Sequence, residues 1–287
     1  MVRLGSRVAL SLVASAVIAS CSAQNVLPAP SATVTSTAAV AAAASPTPAR
    51  TPRATFPGVT TSAGVVWEAT DEPPGPPVEG VKWWAKGTWP DGNTTIAAVY
   101  SPSGDGPFPT VVYLHEAAGL TQAQLDVARR ISSGGFIVLA GCRFEFARVP
   151  CRRRFNLYET SSAFVDFAKA LPNARAGSAA IVGASAGSSE ALYLALSRND
   201  ISAIVADSGV GIDYPKVPVL VLASRADSLI ANSVEQSQAF EAEMRARGGI
   251  VESHYYDNGG HIVLVNAQTT DDAIQRTIAF LNKYITR

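Results

Sequence analysis

The sequence predicts an α/β domain built on a mostly parallel sheet with helices on both faces. Three observations carry that prediction. From about residue 94 onward, short continuous apolar runs alternate with amphipathic stretches, the pattern of strands buried on both faces and of helices that cover them. The chain of 287 residues is 47 % hydrophobic, enough for a sizeable core in one or two domains. Beyond the first 20 residues no run of 18 apolar residues occurs, which excludes a multi-pass membrane protein.

The remaining composition narrows the function. Lys and Arg total 23, as do Asp and Glu, so no basic excess points to a nucleic-acid partner. Three cysteines are too few for a disulfide framework. Oligomeric state is not legible.

The N-terminus reads as an address. Arg3 and Arg7 precede an apolar run, Val8 to Ala19, that is too short to span a bilayer and suits a signal-peptide core. Ile18-Ala19-Ser20-Cys21 resembles the bacterial lipobox. The resemblance implies a lipoprotein signal peptide over 1–20, cleavage before Cys21 and diacylglyceryl attachment to it, hence an extracytoplasmic chain anchored to a bacterial membrane. The alternative is a plain secretory signal with an incidental cysteine. Cleavage would leave 21 basic against 23 acidic residues, a net charge of −2.

Residues 21–63 then read as a disordered tether. Ala, Ser, Thr and Pro dominate, Arg50 and Arg53 are the only charges, and Phe56 is the only aromatic. Such a stretch cannot bury enough apolar surface to offset its ordering entropy. About 40 residues of flexible chain reach roughly 35 Å, enough to hold a domain off a membrane.

The catalytic domain is expected over 64–287. Trp67, Trp83, Trp84 and Trp89 mark its start. Strands are predicted at 94–100, 110–114, 136–140, 179–182, 203–206, 217–223 and 251–256. Helices are predicted at 122–131, 157–171, 188–198, 233–247 and 272–284.

Three strand ends carry one constellation. Gly183-Ala184-Ser185-Ala186-Gly187 lies between a strand and a helix, where a sharp turn exposes a serine hydroxyl. Asp227 follows the strand at 217–223, and His261 lies in the glycine-rich loop after the last strand. In sheets of this kind the chemistry sits at the carboxyl ends of the strands. Ser185 is therefore the expected nucleophile and His261 the general base. Asp227 is expected to orient the imidazole and stabilise its charged form. Asp207 also follows a strand and is the alternative acid. Of the other two histidines, His254 is expected to be structural and His115 to belong to the loop after an earlier strand. That loop should supply one oxyanion donor and the residue after the nucleophile the other. The candidates are the amides of Ala117 and Ala186.

At this point a family is legible. Residues 81 to 287 resemble the α/β-hydrolase superfamily, in particular its dienelactone-hydrolase-like branch. The loop His115-Glu116-Ala117-Ala118-Gly119-Leu120 is similar to that branch's His-Glu-x-x-Gly-Leu loop. The resemblance implies an eight-stranded sheet and places Glu116 near the nucleophile, where it would influence protonation. Dienelactone hydrolases themselves use cysteine where this chain has Ser185, which favours a serine esterase. Relatives with a helical cap insert it between the strands at 203–206 and 217–223, and this chain has no room for one.

An exported location permits a disulfide between Cys142 and Cys151, the pair left once Cys21 is lipidated. No metal site or organic cofactor is implied. The segment between those cysteines and just beyond holds Arg143, Arg148, Arg152, Arg153 and Arg154 against Glu145 alone. It reads as a solvated basic face. The sharper expectation is that Arg152, Arg153 and Arg154 meet an anionic substrate or acidic lipid head groups.

The expected function is an exported, lipid-anchored serine hydrolase that cleaves small carboxylic esters through an acyl-serine intermediate. The alternatives are a peptidase or amidase of the same fold, or a non-catalytic, surface-tethered binding protein.

Overall fold

A single twisted sheet of ten strands organises the chain in the computed structural model, which describes residues 56–73, 77–143 and 157–285. The strands are β1 (Val59–Thr60), β2 (Val66–Thr70), β3 (Trp83–Thr88), β4 (Thr94–Tyr100), β5 (Phe108–Leu114), β6 (Ile137–Gly141), β7 (Ala174–Ala184), β8 (Ile201–Asp207), β9 (Val219–Ser224) and β10 (Val251–Tyr256). Their order across the sheet is β1-β2-β3-β4-β6-β5-β7-β8-β9-β10. β1 to β4 pair antiparallel and β4 joins β6 antiparallel, whereas β6, β5, β7, β8, β9 and β10 run parallel. Among the described residues four helices connect parallel strands, α1 (Gln122–Ser132), α2 (Leu157–Ala170), α3 (Ala186–Ser197) and α4 (Ser233–Ala246), and α5 (Thr270–Ile285) follows the last strand.

The strands expected from apolar runs all form, with ends shifted by a few residues. The expectation of eight strands is corrected to ten. β1 and β2 extend the antiparallel edge, and β1 lies within the 21–63 stretch expected to be tether. The folded region accordingly begins before residue 64. Phe56 is buried, with its ring 5.6 Å from Phe167 and 5.9 Å from Trp83. A lone aromatic in an Ala/Ser/Thr/Pro stretch has no periodicity to reveal it, and its pocket is built by residues far along the chain.

Two cores flank the sheet. On one face, Leu125, Ile131, Ile274 and Phe280 of α1 and α5 pack on Tyr113, Val138 and Val205. On the other, Phe164, Phe167, Leu192, Phe240 and Met244 of α2, α3 and α4 pack on Val112, Leu139, Ile181 and Val221. The alternation of side chains along a strand sends Trp84 to the first core and Trp83 to the second. Trp67 stacks parallel on Phe167 with ring centroids 4.3 Å apart. Its cross-strand neighbour is Gly87, where a Cβ would stand 2.8 Å from the indole. α1 begins with a capping box in which Thr121 and Gln124 bond each other's backbone.

The connection from β8 to β9 holds no helix, so the sheet edge above Ser185 carries no cap there. Residues 1–55 lie outside the described residues, and with them the signal peptide, Cys21 and most of the tether. The same holds for Cys151 and for Arg152, Arg153 and Arg154.

Candidate active site

The chain leaves β5 and turns to β6 on one side and β7 on the other, so β5 marks the switch point of the sheet. The carboxyl ends of the parallel strands open beside it. Ser185 follows β7 at φ 51°, ψ −114°, a backbone conformation that is strained for any residue with a side chain. Its neighbours make that turn feasible. A Cβ on Gly187 would stand 2.1 Å from the Leu114 oxygen, and one on Gly183 would stand 2.4 Å from the Gly187 oxygen. Two glycines therefore let β5, β7 and α3 meet backbone to backbone. The turn is fixed further by the Ser185 amide, which donates to the Asp207 oxygen at 2.8 Å.

His261 lies 76 residues later, yet its Nε2 is 2.9 Å from Ser185 Oγ. Its Nδ1 is 2.8 Å from Asp227 Oδ2. The other carboxylate oxygen of Asp227 accepts the amides of Leu229 and Ile230, both at 2.9 Å. Burial alone would raise the Asp227 carboxyl. The bond to His261 and the two amides outweigh that effect and hold it below its ordinary value. The side chain of His261 is 13 % exposed, so solvent and substrate can reach the imidazole.

The two candidate acids are thus separated by geometry. Asp227 meets the imidazole. Asp207 is fully buried at the end of β8 and accepts hydrogen bonds from Ser208 Oγ and from the amides of Val263 and Leu264. Burial raises its carboxyl to about 6 despite those donors.

The loop after β5 borders the same place, because the carbonyl oxygens of Leu114 and His115 pack against Gly187. Ala117 and Ala186 are both exposed here. Glu116 is partly buried, and among the described residues its Oε2 has no hydrogen-bond partner. Burial raises its carboxyl, opposed by its own backbone amide and by the charges of His261 and Arg143.

Arg143 departs from expectation. It is not part of a solvated basic face. Its side chain has no exposure, pairs with Glu190 of α3 and donates to the His115 oxygen at 2.6 Å. Its amide donates to His115 Nε2 at 2.9 Å, while His115 Nδ1 bonds the Glu116 oxygen at 2.7 Å. Burial and the Arg143 charge push His115 down to about 3, so this imidazole stays neutral and structural. Sequence reasoning missed Glu190 as a partner. The available signal was the position of Arg143 directly after a buried strand, where a lone cation needs a counter-charge.

Among the described residues no cluster of His, Cys, Asp and Glu could hold a metal ion. No helix among them is long and apolar enough to cross a membrane.

No family model matches the chain, and no curated protein matches it. Solved structures do. An esterase from Pyrococcus furiosus superposes with a TM-score of 0.60 at 16 % identity, over 82 % of this chain and 100 % of that one. A dienelactone hydrolase-like promiscuous phosphotriesterase from metagenomic libraries gives 0.54 at 20 % identity, over 68 % and 95 %. Est1E from Butyrivibrio proteoclasticus gives 0.54 at 14 % identity, over 69 % and 97 %. The fold is that of the α/β hydrolases. At these identities the likeness concerns the fold. Its ten-stranded mixed sheet adds an antiparallel edge to the parallel half that holds Ser185, Asp227 and His261.

Proposed function

We propose that this chain is a serine hydrolase that cleaves carboxylic esters through an acyl-Ser185 intermediate. The observation that carries the reading is the continuous hydrogen-bond chain from Ser185 Oγ through His261 to Asp227, at 2.9 and 2.8 Å. Structural neighbours described as esterases support it.

In this mechanism His261 Nε2 takes the Ser185 proton as Oγ attacks the ester carbonyl. The carbonyl oxygen gains a negative charge and is met by the amides of Ala117 and Ala186. His261 then gives the proton to the departing alcohol, which leaves the acyl-enzyme. Water repeats the sequence, with His261 as base, and releases the acid and free Ser185. Asp227 keeps the proton on Nδ1, so that Nε2 is free to accept, and it stabilises the imidazolium. Glu116, coupled to His261, modulates the charge at the site.

The reading extends to the parts outside the described residues. The lipobox-like Ile18-Ala19-Ser20-Cys21 supports export and anchoring of the domain by a lipid on Cys21, with the Ala/Ser/Thr/Pro stretch as tether. A disulfide from Cys142 to Cys151 suits that compartment. Arg152, Arg153 and Arg154 would then face anionic substrates or lipid head groups.

The test is labelling of the mature chain by a fluorophosphonate probe beside Ser185→Ala, followed by turnover of short esters and of the matching amides. Labelling that vanishes in the variant, with ester turnover ahead of amide turnover, is the expected result. A folded chain that takes up no probe would put the tethered binding protein ahead. Faster amide turnover would favour the peptidase or amidase.

A further inference from the structure

Asp207 is a buried carboxylate that the Ser185–His261–Asp227 chain does not use, and its bonds lead to the turn of Ser185 and to the segment that follows His261. Oδ1 accepts from Ser208 Oγ at 2.8 Å and from the Val263 amide at 3.1 Å, and Oδ2 accepts from the Leu264 amide at 3.0 Å. Ser208 Oγ in turn accepts from the Ile262 amide at 3.0 Å. The three amides that follow His261 are thus tied to one dipeptide at the end of a central strand. The backbone oxygen of Asp207 meanwhile accepts from the Ser185 amide and from Ser188 Oγ, both at 2.8 Å. One residue therefore holds the nucleophile's turn through its main chain and the base's loop through its side chain.

The loop does not hold this shape by itself. Ser208 has φ 55° and Ile262 has φ 62°. A β-branched residue in the left-handed region is strained and persists only where its surroundings over-determine it. The Asp207–Ser208 bonds supply that determination.

We propose that Asp207 is a positioning residue: with Ser208 it holds the segment 261–264 in the register that puts His261 Nε2 on Ser185 Oγ. The inference rests on the reading of Ser185 and His261 as nucleophile and base. The ionisable groups that face the carboxylate are His261 and, on β5, Tyr113. Its neighbours on the flanking strands, Ala184 of β7 and Leu222 of β9, carry no charge. Protonation, near the raised value of about 6, turns charge-assisted bonds into neutral ones of roughly half the strength.

The test uses the full chain, Asp207→Asn and Ser208→Gly, the latter suited to a positive φ. Turnover of p-nitrophenyl acetate is followed across pH, and amide exchange is followed at Ile262, Val263 and Leu264. Asp207→Asn is expected to lower kcat about 10- to 100-fold in mild alkali, the scale of a small misplacement of a reacting group, with KM little changed. The acid limb of the parent falls more steeply than one protonation allows and becomes a single-proton curve in the variant. The three amides exchange faster in Asp207→Asn, and less so in Ser208→Gly. A folded Asp207→Asn protein with unaltered kcat and unaltered exchange overturns the proposal. So does a lowered kcat with the parent's acid limb and slow exchange retained, because that is loss of packing elsewhere. If Asp207→Asn does not fold, Ser208→Gly decides: unaltered kcat together with unaltered exchange at Ile262, whose amide it leaves without the Ser208 hydroxyl, overturns the proposal. A parent that takes up no fluorophosphonate would instead sink the hydrolase reading, and the exchange data would still report whether Asp207 holds the segment.

Discussion

Arg143 and Glu190 form an ion pair whose side chains are 0 % and 9 % exposed, directly beneath the loop that carries Glu116 and Ala117. A buried charge that loses its partner is costly, by about 3–5 kcal/mol, whereas replacing both with apolar groups is often close to neutral. Glu190→Leu alone is therefore expected to destabilise the fold by about 3–5 kcal/mol. The double change Arg143→Met with Glu190→Leu should recover most of that. Urea unfolding of the two single variants and the double variant gives the coupling directly. Additive losses would show that the pair is not a unit.

The two buried-edge acids should differ in kind. Asp227→Asn leaves the carboxamide in place but favours the wrong imidazole tautomer, so kcat is expected to fall by about 10⁴ with folding intact. Steady-state kinetics beside a thermal melt checks this. A loss below about tenfold would mean that Asp227 does not orient His261 in turnover.

The start of the folded region can be read by truncation. A chain beginning at residue 64 loses β1 and Phe56, and it leaves Trp83 and Phe167 without the ring between them. Compared with a chain beginning at residue 56, it should be less stable by about 3 kcal/mol, the scale of deleting a buried phenylalanine. Equal unfolding midpoints would return residues 56–63 to the tether.

Two carboxylates push stability in opposite directions with pH. Asp207 takes its proton at about 6 when folded, against 3.8 when unfolded, because burial disfavours its charge. The folded state binds the extra proton between those values. Stability from this group is complete below pH 3.8 and is lost as pH rises through 6. Asp200 behaves conversely. Burial opposes its charge, but the bonds to Arg198 and Lys169 prevail and hold it at about 2. Its contribution is present above pH 3.8 and lost as pH falls through 2. Urea midpoints measured across pH 4 to 6 should therefore decline less steeply with rising pH in Asp207→Asn than in the parent. Parallel curves would show that Asp207 does not titrate in that window.

Much of the parallel half was legible because its signal is local. The apolar runs at 110–114 and 217–223 carry their own signal, and Gly183-Ala184-Ser185-Ala186-Gly187 carries its turn in its glycines. Asp227 and His261 were legible by position, each following its own strand. Phe56 and β1 were not, since a single aromatic and two strand residues in a Pro/Thr-rich stretch have no period to read.

The sequence by itself determined the fold class, the succession of strands and helices from β4 onward, and the candidates Ser185, His261 and the two acids at the carboxyl edge. Those depend on local hydrophobic period and on turn chemistry, which each segment carries within it. Only the tertiary structure decided which carboxylate faces His261, that Arg143 is an internal cation bound by Glu190, and that Asp207 grips the loop behind the imidazole. Those choices rest on distances between segments far apart in the chain. A carboxylate after one strand differs from a carboxylate after the next only in what the fold brings against it.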